Sequence, residues 1–224
     1  MIMNFELNEQ EALRLISEGE SSRVEFKRKF TTFEKIAREL IAFANSKGGL
    51  IFFGVDDNGE IVGVKSEKET EELLLETARN YCEPEIDLKV YVLEIEGKDV
   101  VIGEVMESSK KPHRIQDYQP NLNYRTAKVY IRMKSKSILA SKEMIKLLHT
   151  SYNDNLESEF YLGNKEKALF DYLEKNERIS TKEFCRLVNI SERRAQRILV
   201  KLVRLGVLFL HQEENGSIYF SLNE

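Results

Sequence analysis

The chain has 224 residues, 42% of them hydrophobic and 32% charged, which is enough apolar material for one large core or two small ones. Its net charge of -4 excludes a protein coated in basic charge, so any nucleic-acid surface has to be a local patch. The two cysteines, Cys82 and Cys185, lack metal-ligand spacing and read as buried thiols of a reduced compartment, and residues 1–6 lack the basic and apolar regions of a secretory leader. No apolar run approaches the roughly 18 residues that span a bilayer, so a cytoplasmic protein without membrane partners is expected.

Asn8 and Glu11, at capping spacing, open a predicted helix over 8–18 that Gly19 ends. Val24-Glu25-Phe26-Lys27 alternates as a short strand, with Glu25 and Lys27 on one face. Thr31 and Glu34 have capping-box spacing, and Phe33, Ile36, Ala37, Leu40, Ile41 and Ala44 recur as one buried helical face. Gly48 and Gly49 mark that helix's end. The apolar run 50–55 suits a strand covered on both faces, and Asp57-Asn58-Gly59 is turn chemistry leading to an expected return strand over 60–64. A helix over 67–82 follows, then alternating strands over 87–95 and 99–106 joined at Glu96-Gly97-Lys98. A polar loop over 108–123, a strand over 127–133, a Lys/Ser-rich turn and a helix over 141–149 complete a first domain, 1–150. Its element order is mixed α+β rather than repeating βαβ.

Residues 151–164 are polar and without period, and read as a linker. Beyond it, 165–224 reads as a second domain of three short helices and a hairpin, the pattern of a small winged helix-turn-helix. Ser180 and Glu183 cap the second helix, and Ser191 opens the third. That third helix carries Arg193, Arg194, Arg197, Lys201 and Arg204 against a single acid, Glu192, with Ala195, Ile198, Leu199, Leu202 and Val203 on its apolar side. A helix entering a major groove has this distribution, and Gln196 and the arginines near its start are the expected base readers. Winged helices also dock proteins, which is the competing reading.

Taken together, Glu20, Val24-Glu25-Phe26-Lys27, the helix ending Ala42-Phe43-Ala44-Asn45-Ser46-Lys47-Gly48-Gly49, and Phe53-Gly54-Val55-Asp56-Asp57-Asn58-Gly59-Glu60-Ile61-Val62-Gly63 resemble the Schlafen AlbA-like domain, a family first described as a proposed DNA-binding region. Lys111-Pro112 and Tyr130-Ile131-Arg132 are similar to later features of that family, and the resemblance covers about residues 8 to 149. It implies a mixed-sheet nucleic-acid-binding domain. It also implies an alternative function as a divalent-metal-dependent endoribonuclease, because vertebrate Schlafen relatives carry that activity on acids at matching positions. In that alternative Glu20, Glu25 and Asp56 or Asp57 would hold Mg²⁺ or Mn²⁺, with Lys27 beside them orienting a water. The plain reading makes Glu25 and Lys27 a solvated strand face and Asp57 a turn residue.

The densest basic stretch of the first domain is Lys110, Lys111, His113, Arg114, Arg125, Lys128, Arg132, Lys134 and Lys136, with Tyr118 and Tyr124 interleaved. Cations contact phosphates and aromatics stack on bases, so Lys110, Lys111, Arg114, Arg125 and Arg132 are candidate nucleic-acid contacts. Residues 45–49 are no phosphate loop, because the glycines follow a helix instead of opening one. The expectation is a DNA-binding transcriptional regulator that needs no cofactor and acts as a homodimer.

Overall fold

In the computed structural model Asn8 caps α1 (Glu9–Glu18), its side-chain oxygen accepting the Glu11 N–H at 3.0 Å. The structure describes residues 7–150 and 163–222, which fall into two units, Met1–Leu139 and Ala140–Glu224. In the first unit β1 (Val24–Lys27) crosses through α2 (Phe33–Asn45) to β2 (Gly49–Phe53), which lies parallel to β1 with Glu25 opposite Ile51. Thr32, not Thr31, caps α2 and accepts from the Lys35 N–H at 3.3 Å. After α3 (Glu67–Asn80) and β3 (Cys82–Glu83), β4 (Leu88–Ile95) and β5 (Lys98–Val105) add an antiparallel hairpin, giving the mixed sheet β1-β2-β5-β4. Two small antiparallel pairs complete the unit. β6 (Arg114–Ile115) joins β3, and β7 (Tyr130–Met133) joins β8 (Lys136–Leu139).

The run 50–55 is apolar throughout because both faces of β2 are covered. Ile51 and Phe53 enter one core with α2 and α3, while Phe52 and Val55 enter a second with Ala12 and Ile16 of α1. Burial in the first of these cores pushes the Cys82 thiol up to about 12, so it stays protonated. Gly48 is required at the α2–β2 junction. It has φ +72°, and a Cβ there would sit 2.6 Å from the Val105 carbonyl oxygen.

One expectation changes in this unit, and the expected Lys/Ser-rich turn gains a partner strand, β8. The return strand expected over 60–64 is a single bridge, Val55 to Ile61, because the amides of Val62 and Gly63 both turn back onto the Gly54 carbonyl. The Lys/Ser-rich segment is the tight link of the β7–β8 hairpin, with Lys134 in the left-handed region at φ +53°.

The second unit starts with α4 (Lys142–Thr150), which the sequence assigned to the first domain. α4 packs against α7, and the Ser141 N–H donates to Gln212 at 2.9 Å, so its contacts are with the later residues. Most of the expected linker lies outside the described residues, and its last residue, Asn164, opens α5 (Asn164–Leu173). Then come α6 (Thr181–Val188), α7 (Glu192–Arg204) and the antiparallel pair β9 (Phe209–Gln212) and β10 (Ile218–Ser221). Ser180 and Glu183 form the expected capping box, and Leu169, Phe184, Ala195, Leu199, Leu202 and Phe220 form the core. Among the described residues no helix is long and apolar enough to cross a membrane.

Candidate nucleic-acid interface

The last residue of α2 organises the loop that the sequence read as a basic surface. The Asn45 side chain is 3% exposed and is fully used. Its Nδ2 donates to the carbonyls of His113 at 2.8 Å and Tyr130 at 2.9 Å, and its Oδ1 accepts the His113 N–H at 2.7 Å. It therefore ties α2 to the 106–114 loop and to β7. His113 is a second tie. Its Nδ1 lies 2.8 Å from the Pro84 carbonyl, which can only accept, so that nitrogen carries the proton and Nε2 accepts from Ser108 Oγ at 2.7 Å. Burial, with Lys110 and Lys111 nearby, holds the His113 pKa below the ordinary range despite the Pro84 contact, so the ring stays neutral.

Beneath β7 lies a buried charge cluster. Arg132, with its side chain 1% exposed, donates through Nη1 to Glu25 at 2.9 Å, Glu39 at 3.2 Å and Ser137 at 3.1 Å. Its Nη2 donates to the Ser21 carbonyl at 2.7 Å, and its guanidinium lies 4.7 Å from the centre of the Phe43 ring. Lys27 pairs with Glu25, Ser137 donates to Glu39, and Arg38 donates to Glu39 at 3.0 Å. Burial, then the like charge of Glu39, pushes the Glu25 carboxyl above the usual range against the pull of Lys27 and Arg132. The folded protein therefore binds a proton at Glu25 more readily than the unfolded chain does. This term is absent below the ordinary glutamate value and costs stability as pH rises above it, up to the raised folded value. Glu25→Gln is expected to flatten that decline, read as amide exchange in α2 across an acid-to-neutral series. An unchanged pH slope would reject the assignment.

The remaining acids are also engaged. Glu20 accepts the Phe26 N–H at 3.0 Å, and Asp56 accepts from Arg28 at 2.7 Å and from the Asp57 N–H at 3.1 Å, while Asp57 is an exposed turn residue. Among the described residues no three His, Cys, Asp or Glu side chains gather into a set able to hold a metal ion. Glu20, Glu25 and Asp56 are therefore not brought together as a ligand set. These residues do not fit the Mg²⁺ or Mn²⁺ that the resemblance implied, and no hydrolytic step through it follows.

The sequence model of the family described as "Schlafen, AlbA_2" matches residues 20–141, which spans the β1–α2–β2 crossover, Asn45 and the Glu25–Arg132 cluster. The chain belongs to the Schlafen AlbA_2 family. Two solved structures are similar to it. The N-terminal domain of a RecG-related protein from Nitrosomonas europaea is 22% identical with a TM-score of 0.44, over 58% of this chain and 91% of that one. The DIP2311 protein from Corynebacterium diphtheriae is 16% identical with a TM-score of 0.37, over 53% of this chain and 25% of that one.

Within the Schlafen AlbA_2 domain the candidate cations divide. Lys110 and Arg125 are exposed. Lys111 spends its ammonium on the Ser46 carbonyl at 3.1 Å and on Glu107 at 2.6 Å. Arg114 is buried, reaching Asp117 at 3.3 Å and the Gln119 carbonyl at 2.8 Å, and Arg132 is buried in the cluster. Arg114 and Arg132 are thus corrected from surface contacts to internal ties, because acceptors within the fold take up both guanidinium groups. Past the domain, Arg193, Arg194, Arg197 and Lys201 all lie exposed on α7, opposite its buried Ala195, Leu199 and Leu202. Gln196 does not join them, since its amide donates to Glu143 of α4.

Sequence reasoning missed Glu39, although a signal was present. It lies three residues after Ile36 and four before Phe43, so the apolar stripe of α2 carries it inward, and a buried acid demands a cation.

Proposed function

We propose that this protein binds nucleic acid, that residues 165–224 are a winged helix-turn-helix, and that the chain acts as a cytoplasmic DNA-binding transcriptional regulator working as a homodimer. The observation that carries the reading is the exposed cationic side of α7. There Arg193, Arg194 and Arg197 make no side-chain ion pair among the described residues, on a chain whose net charge is negative. Such a local concentration is what phosphate contacts need. The order α5-α6-α7-β9-β10, with a short α6–α7 turn at the left-handed Asn189, supports the winged-helix assignment. Membership in a family first described as a proposed DNA-binding region adds to it. A homodimer would pair two copies of α7 across a two-fold operator.

Arg193→Ala in the full chain is expected to weaken binding to duplex DNA by about 5- to 100-fold and to lower the salt dependence of binding. Fluorescence anisotropy across a salt series measures both. Binding that ignores this substitution and every other α7 cation would sink the proposal.

A further inference from the structure

Unit 2 holds a cavity of about 700 Å³ between the opening turn of α5 and the outer side of α7. Lys165 and Glu166 line it from α5, and Arg194, Arg197, Ile198 and Lys201 line it from α7. On α7 the three cations stand at i, i+3 and i+7, so they project along one side. Among the described residues, four cations and one carboxylate therefore line the hollow. Neither the Arg194 nor the Arg197 side chain has an ion pair or hydrogen bond with any described residue. Like charges held in a concave wall repel, and a multiply charged anion relieves that repulsion while satisfying the guanidinium donors. Planar guanidinium forks match phosphate oxygens in pairs, and the hollow is larger than a lone ion needs. Ile198 supplies an apolar wall of the kind a sugar packs against.

The opposite flank of α7 is closed beyond the exposed Arg193. Glu143 of α4 takes the Gln196 amide, and Val200, one turn further along that flank, is buried. The exposed cations of α7 are therefore Arg193 at its start and the Arg194–Arg197–Lys201 side that faces the cleft. We propose that this cleft is a phosphate-binding site, and that it seats a backbone phosphate of the bound nucleic acid rather than reading bases through Gln196. The inference rests on the nucleic-acid-binding reading above and says where on unit 2 the backbone sits.

The test uses the full chain, a short random-sequence duplex, and inorganic pyrophosphate as a separate probe. The double substitution Arg194→Gln/Arg197→Gln is expected to weaken duplex binding about tenfold or more, and to lower the slope of log affinity against log salt by about 1, since one phosphate is lost. Glu166→Gln removes the cleft's carboxylate and is expected to tighten duplex binding about 2- to 5-fold, a gain that misfolding cannot imitate. If Arg193→Ala weakens binding while the double variant leaves affinity and slope intact, the cleft assignment is overturned and the nucleic-acid reading stands. If neither changes binding, both fail. If the double variant loses pyrophosphate but keeps the duplex, the site belongs to a free phosphorylated ligand and the backbone assignment is overturned.

Discussion

Replacing Asn45 with alanine is expected to destabilise the Schlafen AlbA_2 unit by about 3–5 kcal/mol, because three hydrogen bonds vanish and every partner stays buried or half-buried. The His113 N–H and the carbonyls of His113 and Tyr130 all lose the one side chain that reaches them across the α2 terminus. Water cannot readily replace it, since Asn45 is 3% exposed and His113 is 2% exposed. A polar group stripped of its partner in such a place costs its full desolvation, about 1–3 kcal/mol each before relaxation. Asn45→Asp separates this account from simple loss of volume. It keeps an acceptor for the His113 N–H but aims a charged acceptor at two carbonyls, so it should be at least as damaging as alanine. Amide exchange measured on α2 and β7 reads the effect locally. Exchange on these elements that stays near the parent rate in Asn45→Ala would show that the side chain is dispensable.

The consequences reach the 106–114 loop. Lys110, one of the exposed cations of the first unit, sits on the segment that Asn45 and His113 hold. Its position is thus a product of the α2 terminus rather than of the loop's own composition. A loop rich in lysine reads from sequence as a solvated or ligand-facing surface, and composition alone cannot separate the two.

That distinction explains how much of the molecule was legible in the chain. The elements of the first unit announce themselves locally: the stripe of Phe33 to Ala44, the glycines after it, the alternation on either side of Glu96-Gly97. So does the one-sided helix of 192–204. Turn chemistry at Asp57-Asn58-Gly59 predicts a return strand over 60–64, but past the Val55–Ile61 bridge the amides of Val62 and Gly63 both bond the Gly54 carbonyl, which ends the pairing and brings Gly63 close to Gly54. A Cβ on Gly54 would lie 2.9 Å from the Gly63 carbonyl carbon. The site was less legible because its chemistry depends on partners far apart in sequence. Arg132 meets Glu25 across 107 residues and Glu39 across 93, so spacing carries no trace of the pairing. Glu25 and Lys27 do share a strand face as alternation requires, but there Glu25 is buried against Arg132 of β7 instead of facing solvent.

Arg132→Met is the second large effect, expected to cost about 3–5 kcal/mol, the range for removing one partner of a buried ion pair. The reason is not the lost attraction alone. Arg132 separates two carboxylates, and without it Glu25 and Glu39 remain in a largely water-free pocket with Lys27 and Arg38 only at its edges. One of them has to take up a proton. Glu25 is the one already displaced upward, so its carboxyl should move further from the ordinary glutamate value. The sign of the pH dependence follows. The variant is least impaired in acid, where Glu25 is neutral in both folded and unfolded states, and its deficit grows as pH rises above the ordinary glutamate value toward the new folded value. Adding Glu25→Gln to Arg132→Met removes the charge that has lost its partner and should recover part of the deficit at neutral pH, a coupling that a double-mutant cycle measures directly. Arg132→Lys keeps the charge but has no planar fork to reach Glu25, Glu39 and the Ser21 carbonyl together, so it should recover less than arginine provides. If Arg132→Met costs under about 1 kcal/mol, the cluster behaves like a solvent-screened surface pair, and its role in holding the β7–β8 hairpin against β1 and α2 is refuted.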